Sequence, residues 1–288
     1  MKHTGNEKIL LRINAAIITL LLLVMLYPFL YQINLSISDS LLARQGGAFL
    51  VPRGFSLNAY RNVLSSRAMA YGFSNTLLVT VVGTFLSLIV TSATAYPLAR
   101  KDTPFRRFFS WTVMFTLIFN GGMIPTFLVV NSLKLINSLW ALILPSLVAS
   151  YNVIIMRNFF SSMPRELEES AYIDGAGDIR IFLQIILPLS GPVLATVGLW
   201  LAVGYWNNYF NALLYINRRE MRVLQQILME IINSSKADDV LSMENAAGIT
   251  PETVKAASIM IISFPILCIY PFLQRFFVKG VMLGSVKG

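Results

Sequence analysis

The sequence is poor in the residues that build metal, disulfide and nucleophile chemistry. It contains one cysteine, Cys268, and one histidine, His3, among 288 residues. A single cysteine excludes an internal disulfide, and this pair of residues cannot supply a Cys/His metal site. A nucleophile that depends on histidine also lacks a suitable base, because His3 lies near the N-terminus, where chains are usually disordered.

Charged residues are also scarce. They make up 13% of the chain, against about 25% in an average soluble domain. Hydrophobic residues make up 56% and form several long uncharged runs, so the composition indicates a membrane protein. The net charge of +9 does not indicate nucleic-acid binding, because no basic cluster is interleaved with aromatic residues and Lys and Arg commonly flank membrane spans.

Two further absences bear on the energy source. The sequence has no G-x-x-x-x-G-K-[ST] phosphate loop, so energy from a nucleotide would have to enter through a partner. Acidic residues are missing from the apolar runs, whereas a proton-coupled carrier usually keeps ionisable residues inside its spans. No credible catalytic set of residues is present, so an enzyme embedded in the membrane is disfavoured.

The uncharged runs predict an all-α protein with six transmembrane helices, since a span needs about 20 mostly apolar residues. Pro188 and Pro192 interrupt the fifth run, so the fifth span is expected to begin near Val193. The runs are Ile13–Asn34, Ala68–Ala99, Phe108–Leu133, Leu135–Met156, Ile181–Asn217 and Ala256–Gln274.

Six spans place both termini on one side of the membrane. The short basic hairpin "RKDTPFRR", Arg100–Arg107, favours that side as cytoplasmic, although the total Lys and Arg count differs little between the sides. The predicted organisation is a cytoplasmic N-terminus (1–12), a transmembrane domain (13–277) containing a cytoplasmic loop (157–192), and a cytoplasmic tail (278–288). The first run exceeds the usual signal-peptide length, so a retained helix is expected.

A polar segment, "EESAYIDGAGDIR", separates the fourth and fifth apolar runs. Pro164 suits the first turn of a helix, and the glutamates that follow it favour the positive end of the helix dipole. Gly175 and Gly177 should end that helix. We call residues 164–188 the elbow, because two short helices joined by a turn are expected there.

The second helix of the elbow is expected from Ile179 to Leu187, with Asp178 as its cap and Pro188 as its end. One interpretation of the elbow is an amphipathic helix that lies at the membrane surface. The other is a docking surface, because a turn of small residues fits a groove and the charges around it can fix orientation.

The elbow resembles the coupling-loop signature of ABC importer permeases: Glu-Ala-Ala, three residues, Gly, nine residues and Ile-x-Leu-Pro. This sequence has Glu169-Ser170-Ala171, then Gly175, then Ile185-Ile186-Leu187-Pro188, with the same spacing. Ser170 replaces the first alanine of the signature, a change between small residues. In that family the loop docks into a cleft of a cytoplasmic ATPase.

The resemblance covers nearly the whole chain and is closest to carbohydrate-type permeases. "FLVPRGFSLNAYRNVL" (Phe49–Leu64) looks like their first outer segment, and "FNGGMIPTFLVVNSLKLINSLWALILP" (Phe119–Pro145) is similar to the subgroup for complex oligosaccharides. The ending "LQRFFVKGVMLGSVKG" (Leu273–Gly288) resembles the maltose-importer type, in which the tail reaches the ATPase dimer.

The resemblance implies a type I ABC importer permease (MetI-like) fold and a permease subunit that is not itself an enzyme. It implies a second, different permease subunit, a cytoplasmic ATPase dimer that binds the ATP and Mg, and an external sugar-binding protein. The chain would then lie in the cytoplasmic membrane of a prokaryote and bind no cofactor directly. The implied ATPase-coupling residues are Glu169, Ser170, Ala171, Asp174, Gly175, Ala176, Gly177 and Pro188.

Polar residues in the fifth run share one helix face. Trp200, Gly204, Asn208 and Asn211 follow at helical spacing, and polar side chains in a span should face the bundle or a wet pathway. They either form hydrogen bonds between helices or contact sugar, whose hydroxyls and C–H faces suit amides and aromatic rings. The candidate pathway residues are Tyr151, Asn152, Trp206, Asn207, Asn208, Tyr209 and Asn211.

Two other features leave alternatives open. Asn120-Gly121-Gly122 and Pro125 interrupt the third run, which indicates either a packed bend or a broken helix beside a binding site. The outer segment Arg218–Lys255 carries Val223, Ile227 and Ile231 at a four-residue repeat, which predicts an amphipathic helix. That helix either covers the bundle or meets the binding protein.

Three rival functions remain at this point: an ABC permease for a solute other than sugar, a secondary carrier, and a membrane-embedded enzyme. The sequence does not identify the sugar.

Overall fold

The computed structural model describes residues 5–47, 50–234 and 250–285, with side chains described in 9–47, 50–234 and 250–269. These residues are mainly helical, and their one isolated strand-like bridge joins Ser38 and Phe55. The all-α fold expected from the sequence is confirmed. Parts of the predicted outer segment (235–249) and of the predicted tail (286–288) lie outside the described residues.

The helices of the first half include three of the predicted spans. The bounds are α1 Gly5–Ser36, α2 Ser40–Ala43, α3 Asn58–Ser65, α4 Arg67–Ala99, α5 Arg106–Ile118, α6 Met123–Ser132 and α7 Trp140–Ile143. A short 3₁₀ turn, Leu144–Ser146, follows α7.

The helices of the second half contain the elbow and the last predicted spans. The bounds are α8 Ser150–Ser161, α9 Glu166–Ile173, α10 Asp178–Ile181, α11 Leu187–Leu189, α12 Gly191–Trp206, α13 Tyr209–Tyr215, α14 Leu224–Asn233 and α15 Pro251–Ser285. A π-helical stretch, Phe182–Ile186, links α10 to α11, and a 3₁₀ turn, Arg219–Met221, precedes α14.

Three stretches are long and apolar enough to cross a membrane as single helices: Ile9–Ser36, Arg67–Ala99 and Pro251–Ile269. Three bent helix pairs bring the number to six if each pair forms one span. The third and fourth runs are therefore not straight helices: α5 and α6 differ in direction by 114°, and the two parts of the fourth run by 53°.

The break in the third run, at residues 119–122, contains the two glycines at which an interruption is expected. Gly122 has a φ of 88°, which favours glycine, and its N–H donates to the side-chain oxygen of Asn120 over 2.9 Å. The break in the fourth run, at residues 147–149, follows a 3₁₀ turn that contains Pro145. The unbroken helix expected over Leu135–Met156 is wrong at that point.

The described residues form two compact units, each with its own core. One unit comprises Met1–Ala70 and Ile227–Phe264. Inside it Leu35, Ala43 and Ala256 are buried together, and the hydroxyl groups of Ser40 and Thr253 lie 3.1 Å apart. The α1 helix, by contrast, exposes most of its large apolar side chains, as a lipid-facing or subunit-facing helix does.

The other unit comprises Tyr71–Gln226 and Pro265–Gly288 and holds the larger core. Buried apolar side chains from α4, α7, α8 and α12 meet there. The core continues to the elbow, where Ala171, Ile181 and Ile186 are buried. The amphipathic helix predicted in the outer segment is confirmed as α14, with Ile227 and Ile231 buried.

Candidate functional site: the elbow and a cavity in the fifth run

The elbow turns at Gly175. The N–H groups of Gly175 and Ala176 donate to the carbonyl oxygens of Tyr172 and Ala171 over 3.0 and 2.9 Å. This is the Schellman pattern that ends a helix with one left-handed residue, and Gly175 has a φ of 80°. The predicted helix end at this glycine is confirmed. A residue with a Cβ atom would be strained at this position.

Gly177, unlike Gly175, is not required by the backbone conformation. Its φ of −81° suits any residue, and a Cβ atom added there would meet nothing within 4 Å. The fold of this chain therefore does not require glycine at this position. A bare backbone at an exposed turn allows another surface to approach closely.

The predicted starts of the two elbow helices need correction. Pro164 lies before the cap residue Arg165, just outside the first turn of α9. Asp178 is the first residue of α10, not its side-chain cap, because its carboxylate contacts Tyr172 and Arg100 instead. The hydrogen bond from Tyr172, and then the contact with Arg100, hold the pKa of the Asp178 carboxyl below its ordinary value.

Pro188 does not end the second helix. The helical path continues through the π-helical stretch to Leu189, and the chain then bends by 81° into α12. A π-helical turn shifts the backbone register, which accommodates a proline that cannot donate a hydrogen bond. The bend occurs at Ser190, whose hydroxyl donates to the carbonyl oxygen of Ile186 over 2.6 Å.

The solvent-exposed surface of the elbow carries apolar side chains on both sides of the turn. Ile173 is 88% exposed and Ile179 is 76% exposed. Large apolar side chains exposed together next to small residues mark an interaction surface. Of the predicted coupling residues, Ala171 is buried, Ala176 is half-buried, and Glu169, Ser170, Asp174 and Gly177 are exposed. Their coupling role stays a prediction.

The base of the elbow meets the end of α4. The Arg100 guanidinium contacts the carboxylates of Glu168 and Asp178, which flank the turn. A small cavity of about 110 Å³ lies at this junction, and Glu169 and Arg165 contribute to its lining. The sequence predicts for Arg100 only a part in the basic hairpin that sets the orientation of the chain in the membrane. No local pattern relates it to the elbow, which lies far along the sequence.

A second cavity, of about 190 Å³, lies along the second half of the fifth run, and we call it the Trp200 cavity. The four residues predicted to share one helix face all line it. Ser146, Leu201 and Tyr205 complete the lining, so it combines amides, hydroxyls and aromatic rings: Ser146, Trp200, Leu201, Gly204, Tyr205, Asn208 and Asn211. The shared face survives although the helix is broken at Asn207 and Asn208, between α12 and α13.

Contacts around the cavity bring several helix ends together. The rings of Tyr151 and Trp200 lie 5.9 Å apart, which places the start of α8 beside α12. The hydroxyl groups of Ser150 and Thr116 lie 2.7 Å apart, which places the end of α5 near the same point. Broken backbone at membrane depth cannot face lipid, so these helix ends should face protein or a water-lined path.

The remaining candidate pathway residues have other surroundings. Trp206 is buried with its ring edge against Phe73, at 6.2 Å between centroids. Asn207 is exposed and accepts a hydrogen bond from Gln225 over 3.2 Å. Asn152 is buried, and Tyr209 is half-buried at the start of α13. None of these side chains lines the cavity, and their pathway role stays a prediction.

Apolar helices broken around the Trp200 cavity, joined to an exposed elbow, define a membrane-embedded transport subunit. The chain belongs to the family described as binding-protein-dependent transport system inner membrane component, whose model matches residues 83–283. The suspected family is therefore confirmed, and with it the inner-membrane location.

Curated relatives and a solved structure extend over nearly the full length. Protein LplC of Bacillus subtilis (strain 168) is 46% identical over 264 residues, which cover 91% of this chain and 89% of the relative. The polygalacturonan/rhamnogalacturonan transport system permease protein YtcP of the same strain is 42% identical over 268 residues, 92% and 94% of the two chains. A crystal structure of a bacterial ABC transporter involved in the import of the acidic polysaccharide alginate matches with a TM-score of 0.90 and 31% identity, covering 96% and 99%.

Proposed function

We propose that this chain is the permease subunit of an ATP-driven importer that moves an oligosaccharide into the cytoplasm. The names of two relatives support a carbohydrate cargo, because one belongs to a polygalacturonan/rhamnogalacturonan transport system and the other to an alginate importer. The cavity chemistry agrees, since its amides and hydroxyls suit sugar hydroxyls and an aromatic residue such as Trp200 suits the C–H groups of a sugar ring.

The observation that carries the proposal is the exposed elbow with open space at Gly177. Its apolar residues Ile173 and Ile179 lie beside a turn that a partner can approach closely. A cytoplasmic ATPase dimer is the proposed partner, and it would bind the ATP and Mg. Both termini of this chain then lie in the cytoplasm, on the same side as the elbow.

Two further partners complete the proposed complex. A second permease subunit would cover the exposed apolar helices and the broken backbone near Gly121 and Gly122, which cannot face lipid. An external sugar-binding protein would deliver the cargo to the outer face, where α14 lies. The cargo would then pass the cavity at Trp200 and Asn208.

The experiment compares variants at two glycines in the complex purified from native membranes. Gly177→Leu adds bulk at the proposed docking turn, whereas Gly191→Ala adds a methyl group at a helical position that also has open space. We expect the second permease subunit to copurify with both variants. We expect ATPase recovery and oligosaccharide uptake to fall at least about tenfold for Gly177→Leu alone, as loss of a central contact does.

Three results would contradict the proposal. The first is a wild-type complex that contains no ATP-hydrolysing subunit. The second is a Gly177→Leu variant that keeps full ATPase recovery and uptake. The third is uptake into proteoliposomes that is competed by amino acids or phosphate but not by oligosaccharides, which would exclude a sugar cargo.

A further inference from the structure

Arg100, the first residue after α4, contacts carboxylates on both arms of the elbow. The first arm is α9, and the second arm runs from α10 through the π-helical stretch to Pro188. The side chain of Arg100 is 17% exposed. Nε lies 3.4 Å from the Glu168 carboxylate in α9, and Nη1 lies 2.5 Å from the Asp178 carboxylate in α10. Nη2 contacts Asp102 of the hairpin over 3.1 Å. The planar fork of arginine holds five N–H donors in a fixed geometry, so it can bind several carboxylates at defined positions, whereas a lysine ammonium is a point charge with three donors.

Two tyrosine rings cover the same guanidinium. Its central carbon lies 5.6 Å from the centroid of the Tyr96 ring and 5.4 Å from that of Tyr172. Tyr172 also donates a hydrogen bond to Asp178, so one side chain of α9 contacts both members of the ion pair. Cation–π contacts add to the ion pairs when the site is partly shielded from water. The faces and the edges of the guanidinium are thus both engaged.

Further contacts, made by aromatic rings and by a hydrogen bond, hold the last turn of α4. The Tyr96 ring stacks on Phe182, with 5.0 Å between centroids and 25° between planes, and meets Phe160 edge-on at 6.3 Å. Phe160 precedes the elbow and Phe182 belongs to its second arm. Arg106 donates to the carbonyl oxygen of Leu98 over 2.9 Å. The end of α4 is therefore attached to the elbow on both sides of the turn.

The middle of α4 contacts Tyr205 in the wall of the Trp200 cavity. The hydroxyl groups of Ser87 and Tyr205 lie 2.8 Å apart, and Tyr205 lines the cavity. A Cβ atom added at Gly83 would lie 2.8 Å from the Tyr205 ring, so the helix backbone and the ring are in close contact. About 20 Å of helix separates Ser87 from Arg100 at 1.5 Å per residue. The helix is continuous between them, with Pro97 in its last turn, so a displacement of its end can reach Ser87.

We propose that Arg100 is the positioning residue that joins the elbow to α4. This inference rests on the proposed function: when the ATPase displaces the elbow, Arg100 makes the end of α4 move with it. Ser87 and Gly83 then displace Tyr205 and change the shape of the cavity. Arg100 contacts no sugar and no nucleotide in this scheme, and it acts through α4.

The test uses the complete complex in proteoliposomes, with its second permease subunit, ATPase and binding protein. Arg100→Gln removes the charge and the fork, and Arg107→Gln removes an exposed charge from the same hairpin as a matched control. For Arg100→Gln we expect unchanged ATPase recovery and continued ATP hydrolysis, but sugar uptake per ATP at least about tenfold lower, within the usual range of coupling between sites. Arg107→Gln should stay within about twofold of wild type, and Arg100→Lys should fall between the two.

A second measurement tests whether the contact between Arg100 and the elbow stabilises the elbow. Amide hydrogen exchange of residues 164–182 in the same complex should become faster in Arg100→Gln and remain unchanged in Arg107→Gln. Unchanged exchange, or unchanged uptake per ATP, would overturn the proposal. If Arg100→Gln does not accumulate in the membrane, Tyr172→Phe takes its place, because it removes only the hydroxyl that bonds to Asp178. Its uptake per ATP should fall, and an unchanged value would overturn the proposal equally.

The outcomes separate this inference from the proposed function. Loss of the ATPase from the wild-type complex would refute the proposed function. An intact wild-type importer with a fully coupled Arg100→Gln variant would refute only the role of Arg100.

Discussion

Ser87 of α4 and Tyr205 of α12 share a hydrogen bond of 2.8 Å between their hydroxyl oxygens, and both residues are buried. The Tyr205 hydroxyl also donates to the carbonyl oxygen of Ile143 over 3.3 Å. One side chain thus joins three helical segments of the same unit at the edge of the Trp200 cavity.

Gly83→Ala should destabilise this junction. The new methyl group would lie 2.8 Å from the Tyr205 ring, and a buried ring has little room to move. Overpacking of this kind costs about 1–3 kcal/mol. Thermal unfolding of the purified complex measures the loss. Gly198→Ala is the control, because its new methyl group meets only the flexible end of Leu88, at 3.2 Å. Equal stability of the two variants would contradict the prediction.

Asn208→Leu and Asn211→Leu should reduce sugar uptake, because both amides line the cavity. Each lost hydrogen bond to a neutral hydroxyl is worth about 0.5–1.5 kcal/mol, or roughly two- to tenfold in transport. Asn207→Leu is the comparison within the same sequence run, since Asn207 is exposed outside the cavity and contacts Gln225, and a smaller loss is expected there if the cavity is the path. Initial uptake rates at low sugar concentration are the measurement. Equal losses at all three positions would count against the cavity as the path.

Ile173→Asp and Ile179→Asp should weaken binding of the ATPase. Both side chains are exposed, so the substitutions leave the core intact, but a charge at an apolar contact must lose its water on docking. The expected loss is at least about 2 kcal/mol, or roughly thirtyfold in affinity. Titration of the purified ATPase onto the permease pair in nanodiscs measures it.

The control for this titration is Phe105→Asn. Phe105 is similarly exposed but lies on the hairpin, and its φ of 56° is one that asparagine tolerates. Its affinity for the ATPase should equal that of wild type. If all three variants bind equally tightly, the elbow is not the docking surface.

The elbow should keep its ion pair under mild acidification. Because the pKa of Asp178 is lowered, the carboxylate adds stability that is fully present above the ordinary aspartate pKa of about 3.9. That stability is lost only as the pH falls through the lower value of the folded protein. Hydrogen exchange of residues 172–180, corrected for intrinsic rates, should therefore stay flat from pH 6 to about 4 and rise below it. Asp178→Asn should remove the rise; a rise in wild type above pH 5 would contradict the assignment.

Local patterns in the sequence predicted the features that depend on neighbouring residues. The end of α9 at Gly175 follows from a left-handed turn that only glycine adopts easily. The shared face of Trp200, Asn208 and Asn211 follows from helical spacing, and it persists across a break that the spacing did not predict. The amphipathic repeat likewise located α14.

Features that depend on distant residues were missed or misread. Asp178 has the sequence position of a helix cap, but Arg100, 78 residues earlier, and Tyr172 take its carboxylate. Arg100 itself belongs to a basic hairpin, and such hairpins usually have a purely topological role. Only the packing of α4 against both arms of the elbow distinguishes it from its neighbour Arg107. The break at residues 147–149, by contrast, has a local marker, because Pro145 lies in the turn before it, but the length of an uncharged run does not show it.

The length of α4 has a consequence for the surrounding lipid. Its 33 residues make a helix about 50 Å long, while the hydrocarbon layer is about 30 Å thick. The helix must therefore lean within the bilayer or project beyond it, and its lean depends on hydrophobic mismatch. Longer acyl chains would hold it more upright and shorter ones would tilt it further. Membrane thickness thus becomes a variable that can change the tilt of α4 without any change in the protein.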